Sequence, residues 1–114
     1  MLARKYRLNE SDDIERVKES GKTFRSNSFT VKHLKNPKSD VTRTAFIVSN
    51  NVSKNSSIRH KVKRALDEGV RQSLYAVKPG NDLVFIANTS SVKAYTSDLM
   101  NEVKEVLTKI GIMK

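Results

Sequence analysis

The stretch SSIRHKVKRALDEGVRQ, residues 56–72, has the spacing of a helix with one apolar side. At about 100° per residue, five small or apolar residues gather on that side: Ile58, Val62, Ala65, Leu66 and Gly69. Apolar segments typical of strands flank the helix, TAFIVS at 44–49 and LVFIA at 83–87. The pattern predicts that the helix connects two strands of one sheet and docks on that sheet through its apolar side.

The remaining segments predict an α+β domain. Residues 11–20 form a short helix that Ser11 can cap and Gly21 ends. Residues 23–34 are extended, with Phe29, Val31 and His33 on one side and an additional short strand around Thr23. A closing amphipathic helix spans 97–110. We therefore expect a single domain over residues 1–114, in the order α-β-β-β-α-β-α, with helices packed on a central four-stranded sheet.

Composition indicates an anionic partner. The 114 residues carry 22 Lys and Arg against 12 Asp and Glu, which gives a net charge of +10 and a pI near 10.0. A field this strong on a small domain favours nucleic acid. The absence of cysteine excludes disulfides, thiolate metal sites and a cysteine nucleophile, and it suits a reducing cytosol. The amino-terminal residues contain no apolar run, so we expect a cytoplasmic protein without a membrane span.

The basic residues of the 56–72 helix are unusually placed. There are six of them: Arg59, His60, Lys61, Lys63, Arg64 and Arg71. The first two turns are almost entirely basic, and the acids Asp67 and Glu68 come late, so each early cation opposes the helix dipole at a cost of up to about 1 kcal/mol. Cations beside the positive end of a helix form a good phosphate site. We interpret the helix as a phosphate-binding surface, the alternative being a solvated face with an idle His60.

No catalytic or metal site emerges from the sequence. The one acidic cluster, Asp12, Asp13 and Glu15, is explained by the helix dipole. Asp82 follows a Pro-Gly turn and is interpreted as a turn residue, while Asp98 belongs to the first turn of the last helix. The two histidines lie far apart and lack metal-ligand spacing. We expect the protein alone to cleave nothing.

The order of these motifs resembles the bacterial ribonuclease P protein subunit over almost the whole chain. Its signature helix is similar to Arg-His-Lys-Val-Lys-Arg-x-Leu-x-Glu at 59–68, preceded by a strand that ends in Val48-Ser49. Further matches lie upstream: Arg7-Leu8, Asp13, Ile14, Val17, Gly21 and the extended Ser28-Phe29-Thr30-Val31. The chain departs from the family pattern at three places. His60 and Lys61 replace the Asn and the second Arg of an Arg-Asn-Arg triplet, and Asp67 stands where an Arg is common. The loop at 50–57 lacks the customary Gly. Cleft aromatics are replaced at Ile14, Lys18 and Lys32.

The resemblance implies an accessory subunit of an endoribonuclease, with catalysis carried by an RNA that removes 5′ leaders from precursor tRNA. The basic helix and Lys54 would bind the catalytic RNA in a 1:1 complex. The leader would lie in a cleft between the first helix and the sheet, against four residues: Ile14, Lys18, Phe29 and Lys32. Magnesium ions would be held mainly by the RNA and the substrate. The β-α-β unit would cross over left-handedly, against the right-handed rule that holds in about 98% of cases.

Two other classes of nucleic-acid binder also fit the charge and size. One is a ribosomal or ribosome-assembly module that takes no part in tRNA processing. The other is a DNA-binding protein that reads the major groove through residues 59–71. The second lacks the helix-turn-helix frame that usually docks such a helix.

Overall fold

The computed structural model describes residues 2–114 and contains three α-helices and four strands. They follow the order α1 (Ser11–Ser20), β1 (Lys22–Arg25), β2 (Phe29–Lys35), β3 (Arg43–Ile47), α2 (Ser56–Ser73), β4 (Asn81–Ala87) and α3 (Thr96–Ile110). The predicted order α-β-β-β-α-β-α is confirmed. Short 3-10 turns at Arg4–Tyr6, Leu74–Ala76 and Thr89–Lys93 join these elements.

The sheet is mixed and mostly antiparallel. Its strand order is β1-β2-β4-β3, with β2 antiparallel to both of its neighbours and β3 parallel to β4. Parallel neighbours need a long crossover, and α2 supplies it. The handedness that the resemblance implies stays a prediction.

The predicted extended segment 23–34 consists of two strands joined by a turn at 26–28. Glu102 on α3 holds this turn, because its carboxylate accepts hydrogen bonds from Ser26 Oγ at 2.6 Å and from Ser28 N and Oγ at 3.0 and 2.7 Å. A charged acceptor that binds three donors fixes a turn firmly. The hairpin is therefore tied to the helix that closes the chain.

The main core lies between α2, α3 and one face of the sheet. Phe29 and Phe85 form its aromatic centre with ring centroids 5.4 Å apart. Val62 and Leu66 of α2 are buried there, as its apolar pattern predicts. Gly69 allows α2 and α3 to approach closely, since a Cβ at that position would lie only 3.0 Å from Cβ of Val103. The apolar side of α2 thus fixes which of its faces points to solvent.

A smaller core lies under α1 on the other face of the sheet. It contains the buried side chains of Leu8, Val17, Ala45 and Val84. The prediction that Ser11 caps α1 is wrong, because Ser11 is the first helical residue and Glu10 occupies the capping position without a side-chain bond. The carbonyl of Glu10 already accepts the N–H of Ile14 at 3.0 Å, so the helix starts earlier than the serine suggested.

Asp82 is not a turn residue. It lies inside β4 and is 0% exposed, with its carboxylate bound by two arginines. Arg16 Nη2 lies 2.9 Å from Oδ2, and Arg43 donates through Nε and Nη2 at 3.2 and 3.1 Å. Asn36 Nδ2 adds a fourth bond at 3.2 Å. A buried carboxylate is tolerated inside the strand because it is paired and fully hydrogen-bonded.

The first described residues of the chain connect β3 to α2 through hydrogen bonds. The Leu8 N–H donates to the Thr44 carbonyl at 3.0 Å, beside the edge strand β3. The Leu2 N–H donates to Asp67 Oδ1 at 2.9 Å, and the Leu2 side chain is buried in the main core. Asp67, although acidic, therefore belongs to the buried side of α2.

Candidate nucleic-acid interface

The start of α2 is fixed by its own loop. Asn55 caps the helix by accepting the N–H of Ser57 on Oδ1 at 2.9 Å. Arg59 Nη1 donates to the Ser53 carbonyl at 2.9 Å and is half-buried, so this arginine also braces the loop. Lys54 is exposed on the same loop. No acidic residue lies in the first turn of α2, so its positive end is not neutralised there.

Besides Arg71, four basic side chains of α2 are exposed: His60, Lys61, Lys63 and Arg64. Within residues 2–114 none of the four takes part in an ion pair or a side-chain hydrogen bond. A phosphate can therefore bind them without first breaking an internal contact.

Arg71 differs from these four because it is already paired. Its Nε lies 2.8 Å from Glu68 Oε2, and a second contact joins Nη2 to Oε1. Hydrogen bonding between the two groups raises the pKa of the Arg71 guanidinium and lowers the pKa of the Glu68 carboxyl. Arg71 therefore has to leave Glu68 before it can bind a phosphate with its full set of donors.

Two open grooves border the basic start of α2. One, with a volume of about 610 Å³, is lined by His60, Lys61, Arg64 and by Thr96 at the start of α3. The other, about 350 Å³, lies between the end of β3 and α2, where Ile47 meets Arg59 and Lys63. The cations therefore lie on both flanks of the helix, and one flank reaches the sheet.

A strip of the sheet beside α1 is open. The register aligns Thr30, Ile86 and Ile47 in one row across three strands, and all three side chains are only half-buried. Ile14 and Lys18 of α1 are also half-buried, and both occupy the flank of α1 opposite Arg16. Because Ile47 also lines the second groove, the strip is continuous with the basic start of α2.

Of the four predicted cleft residues, Phe29 lies on the opposite face of the sheet from the other three. Ile14 packs at the edge of the smaller core, on the same face of the sheet as Lys32. Lys32 Nζ donates to Thr23 Oγ1 at 2.5 Å on the neighbouring strand, and Lys18 lies 3.6 Å from Glu15. Phe29 is a wrong assignment. It is 0% exposed and points into the main core on the opposite face, because side chains alternate along a strand.

An ion-pair network of Arg16, Arg43 and Asp82 joins α1 to the sheet beside the strip. The sequence analysis predicted none of these three roles. The bond to Asp82 is the main reason that the pKa of the Arg16 guanidinium is raised, and Asp13 adds a second partner at 3.3 Å. Asp13 also lies 3.7 Å from Arg43, so it does more than complement the helix dipole. The one sequence signal of this network was an arginine that directly follows the acidic start of the helix.

The described acidic and imidazole side chains offer no protein-held metal centre. Across residues 2–114, no three His, Asp or Glu side chains gather as metal ligands would. The best-formed acidic pair, Asp13 and Asp82, is occupied by arginines. In the same residues, no helix combines the length and apolarity that crossing a bilayer requires.

The sequence matches a known family over nearly its full length. The family model described as Ribonuclease P matches residues 2–111. A ribonuclease P protein component of Clostridioides difficile is 34% identical over 106 residues, which are 92% of this chain and 91% of that protein. One of Clostridium kluyveri is 32% identical over 111 residues, 96% of this chain and 97% of that protein.

Solved structures share the fold. The RNase P protein of Staphylococcus aureus superposes with a TM-score of 0.87 at 24% identity, over 96% of this chain and 98% of that one. The protein of Thermotoga maritima gives 0.80 at 21% identity, over 90% and 96%. The fold, the family match and the two relatives agree with one another: this chain belongs to the family of ribonuclease P protein components.

Proposed function

We propose that this protein binds the catalytic RNA of ribonuclease P and the 5′ leader of precursor tRNA, and so assists magnesium-dependent removal of the leader. The observation that carries the proposal is the set of exposed cations at the start of α2: His60, Lys61, Lys63 and Arg64 have no internal partner within the described chain. Such side chains contact phosphate backbone more than base edges. Association with the RNA subunit follows from membership of the family.

The leader fits the open strip beside α1. Lys18 and Lys32 supply positive charge there, and Ile14, Ile47 and Ile86 supply apolar surface for unpaired bases. The groove at Ile47 leads from the strip to Arg59 and Lys63, so a single strand can pass from one to the other. Binding of this kind works mainly by electrostatics and is weakly sequence-specific.

Magnesium in this proposal belongs to the RNA and the scissile phosphate. The described residues contain no cluster of acidic ligands that would hold the ion on the protein. The contribution of the protein is to neutralise phosphates and to orient the leader, in a 1:1 complex in the cytoplasm.

Reconstitution tests the proposal. The protein is mixed with the ribonuclease P RNA of its own organism at moderate magnesium and a small protein excess, and cleavage of precursor tRNA is measured. We expect faster cleavage than with RNA alone, and none with RNA-free protein. Replacing Arg64 by Ala should weaken RNA binding and lower the salt slope by about one unit. Absence of any stimulation would favour a ribosomal role, and robust cleavage by RNA-free protein would overturn the proposal.

The leader contact has its own test. The double variant Lys18→Ala, Lys32→Ala should bind precursor tRNA more weakly in the complex while binding mature tRNA as the wild type does. Lys109→Ala, which removes an exposed lysine in the last turn of α3, is the control. Equal losses for precursor and mature tRNA would place the leader elsewhere.

A further inference from the structure

Exposed hydrophobic side chains gather in the segment that leads into α3, beside the basic helix. Among residues 2–114, three large hydrophobic side chains are exposed: Tyr75 at 82%, Val92 at 37% and Tyr95 at 78%. Two of these three lie within four positions, in the segment that leads into α3. Exposed apolar groups that cluster in this way mark interaction surfaces more often than scattered ones do.

The segment lies against the flank of α2 that carries Lys61. Val92, Ala94 and Thr96 line the same small cavity as Lys61, so the residues on both sides of Tyr95 are next to that lysine. Lys93 is exposed in the same segment. Neither Lys61 nor Lys93 has an ion pair in the part of the chain that the structure describes. They lie at the flank of α2 that faces α3, and Arg59 and Lys63 lie on the other flank.

The ring of Tyr95 has no role in the fold. Its backbone carbonyl accepts the N–H of Leu99 at 3.0 Å, a contact that any residue could make. The phenol hydroxyl has no hydrogen-bond partner within residues 2–114. An aromatic ring left in water without an internal contact is available to a ligand.

The backbone that presents Tyr95 is held in place. Asn88 Oδ1 accepts the N–H of Ser90 at 3.0 Å, and Ser90 Oγ donates to the Asn27 carbonyl at 2.6 Å. Ser91 is buried and donates to the Asn88 carbonyl at 2.7 Å. The segment therefore offers its ring from a fixed position, which reduces the ordering cost of binding.

We infer that Tyr95 is a stacking platform for an unpaired nucleobase of RNA, with Lys61 and Lys93 binding the phosphates on either side of that base. The inference rests on the proposed function and extends the RNA surface of α2 from its sheet-facing flank to its α3-facing flank. Aromatic rings on a positively charged surface are the arrangement that binds single-stranded nucleic acid without sequence preference. The net charge of +10 favours RNA over a second copy of the chain, because two copies repel each other.

Affinity and salt dependence separate stacking from charge. Binding of the cognate ribonuclease P RNA is measured over a salt series for the wild type, Tyr95→Ala, Tyr95→Phe and Lys61→Ala. Tyr95→Ala should bind roughly 5- to 100-fold more weakly with an unchanged salt slope, since the ring neutralises no phosphate. Tyr95→Phe should retain the affinity, and Lys61→Ala should lower the slope by about one unit. Tyr75→Ala, at the other strongly exposed tyrosine, is the matched control and should bind normally.

A tryptophan probe reports the contact directly. The chain contains no Trp, so Tyr95→Trp and Tyr75→Trp each introduce a single one. Saturation with RNA should quench the fluorescence of the first variant and leave the second unchanged. The inference would be overturned if saturating RNA left Tyr95→Trp unquenched, or if Tyr95→Ala bound RNA as tightly as the wild type. Either result would leave the proposed function intact. Failure of the wild type to bind the RNA would instead reject the proposed function, and loss of self-association in Tyr95→Ala with normal RNA binding would assign the surface to a second copy.

Discussion

The guanidinium of Arg16 lies 2.9 Å from the carboxylate of Asp82, and this contact joins α1 to the centre of the sheet. Asp82 is fully buried, whereas Arg16 is 39% exposed, so the pair links the inside of the domain to the helix that borders the open strip. Arg43 binds the same carboxylate from β3. This pair, together with the apolar packing of Val17, holds α1 at the edge of the strip.

Replacing Asp82 by Asn should destabilise the domain and weaken leader binding. The change keeps the volume but removes the buried charge that Arg16 and Arg43 share, and Asp13, at 3.3 and 3.7 Å, remains as their anionic partner. Removing one member of a buried ionic network typically costs 3–5 kcal/mol, and we expect about 3 kcal/mol here because both arginines reach solvent. Urea unfolding measures the loss. Asp40→Asn, at an exposed position in the loop before β3, should leave the midpoint unchanged.

In the folded Asp82→Asn protein, affinity for the leader should fall more than affinity for the catalytic RNA, since α2 is untouched. A normal unfolding midpoint together with normal leader affinity would mean that α1 is held by apolar packing alone.

Two adjacent substitutions on α2 should have opposite consequences. Val62 is 3% exposed in the main core, whereas Lys63 is exposed. Val62→Asp buries a charge without a partner and should unfold the domain, whose whole stability is expected to be only about 5–15 kcal/mol. Lys63→Asp should fold normally but lose RNA affinity, with a smaller salt slope. Circular dichroism and RNA titration distinguish the two, and a folded Val62→Asp protein would show that the helix is oriented differently.

Replacing Glu68 by Gln should strengthen RNA binding. Both Glu68 and Arg71 are charged at neutral pH, and the hydrogen bond from Arg71 lowers the pKa of Glu68 from its ordinary 4.5. The interaction is therefore present above that value and is lost as pH falls through the lowered pKa. Without the carboxylate, Arg71 is free to bind a phosphate, and the salt slope should rise by up to about one unit. In the wild-type background, Arg71→Ala should change the slope less than Arg64→Ala does. Identical slopes for Glu68→Gln and the wild type would mean that RNA does not reach the end of α2.

Replacing Glu102 by Ala should loosen the hairpin of β1 and β2. The variant loses an acceptor for three donors on Ser26 and Ser28, and we expect a cost of about 2 kcal/mol. Hydrogen exchange of the Ser28 N–H should accelerate more than global unfolding predicts. Glu105→Ala, at an exposed position of the same helix, is the control. Equal exchange rates in both variants would show that strand pairing alone holds the turn.

The sequence predicted the elements because their signals are local. The apolar side of α2, the run at 83–87 and the periodicity of α3 each depend on neighbouring residues, and the structure confirms all three. The exposed cations of α2 follow from the same helical geometry. Net charge alone could not choose among RNA partners, and it was the resemblance that indicated ribonuclease P, which the family match supports.

The errors concern residues whose partners are distant in sequence. Asp82 looked like a turn residue because its arginine partners are 66 and 39 positions away. Asp67 stood out in the sequence only as a late acid of α2, yet its partner is the backbone of Leu2, 65 positions away. Phe29 was placed on the wrong face because a family motif shows that a segment is extended without showing which side of it is buried. Long-range pairing of polar groups leaves no periodic pattern in a sequence.

The strand order also determines when the domain can assemble. The central strand β4 is the last strand to leave the ribosome, and both β2 and β3 pair with it. Leu2 and Arg16 bind groups on α2 and β4, which are synthesised after them, so these contacts form only when β4 has been made. Contacts of such long range slow folding. In pulsed hydrogen exchange during refolding, the Leu2 N–H should become protected no earlier than β4, so a segment that is synthesised before the sheet is among the last to reach its native position.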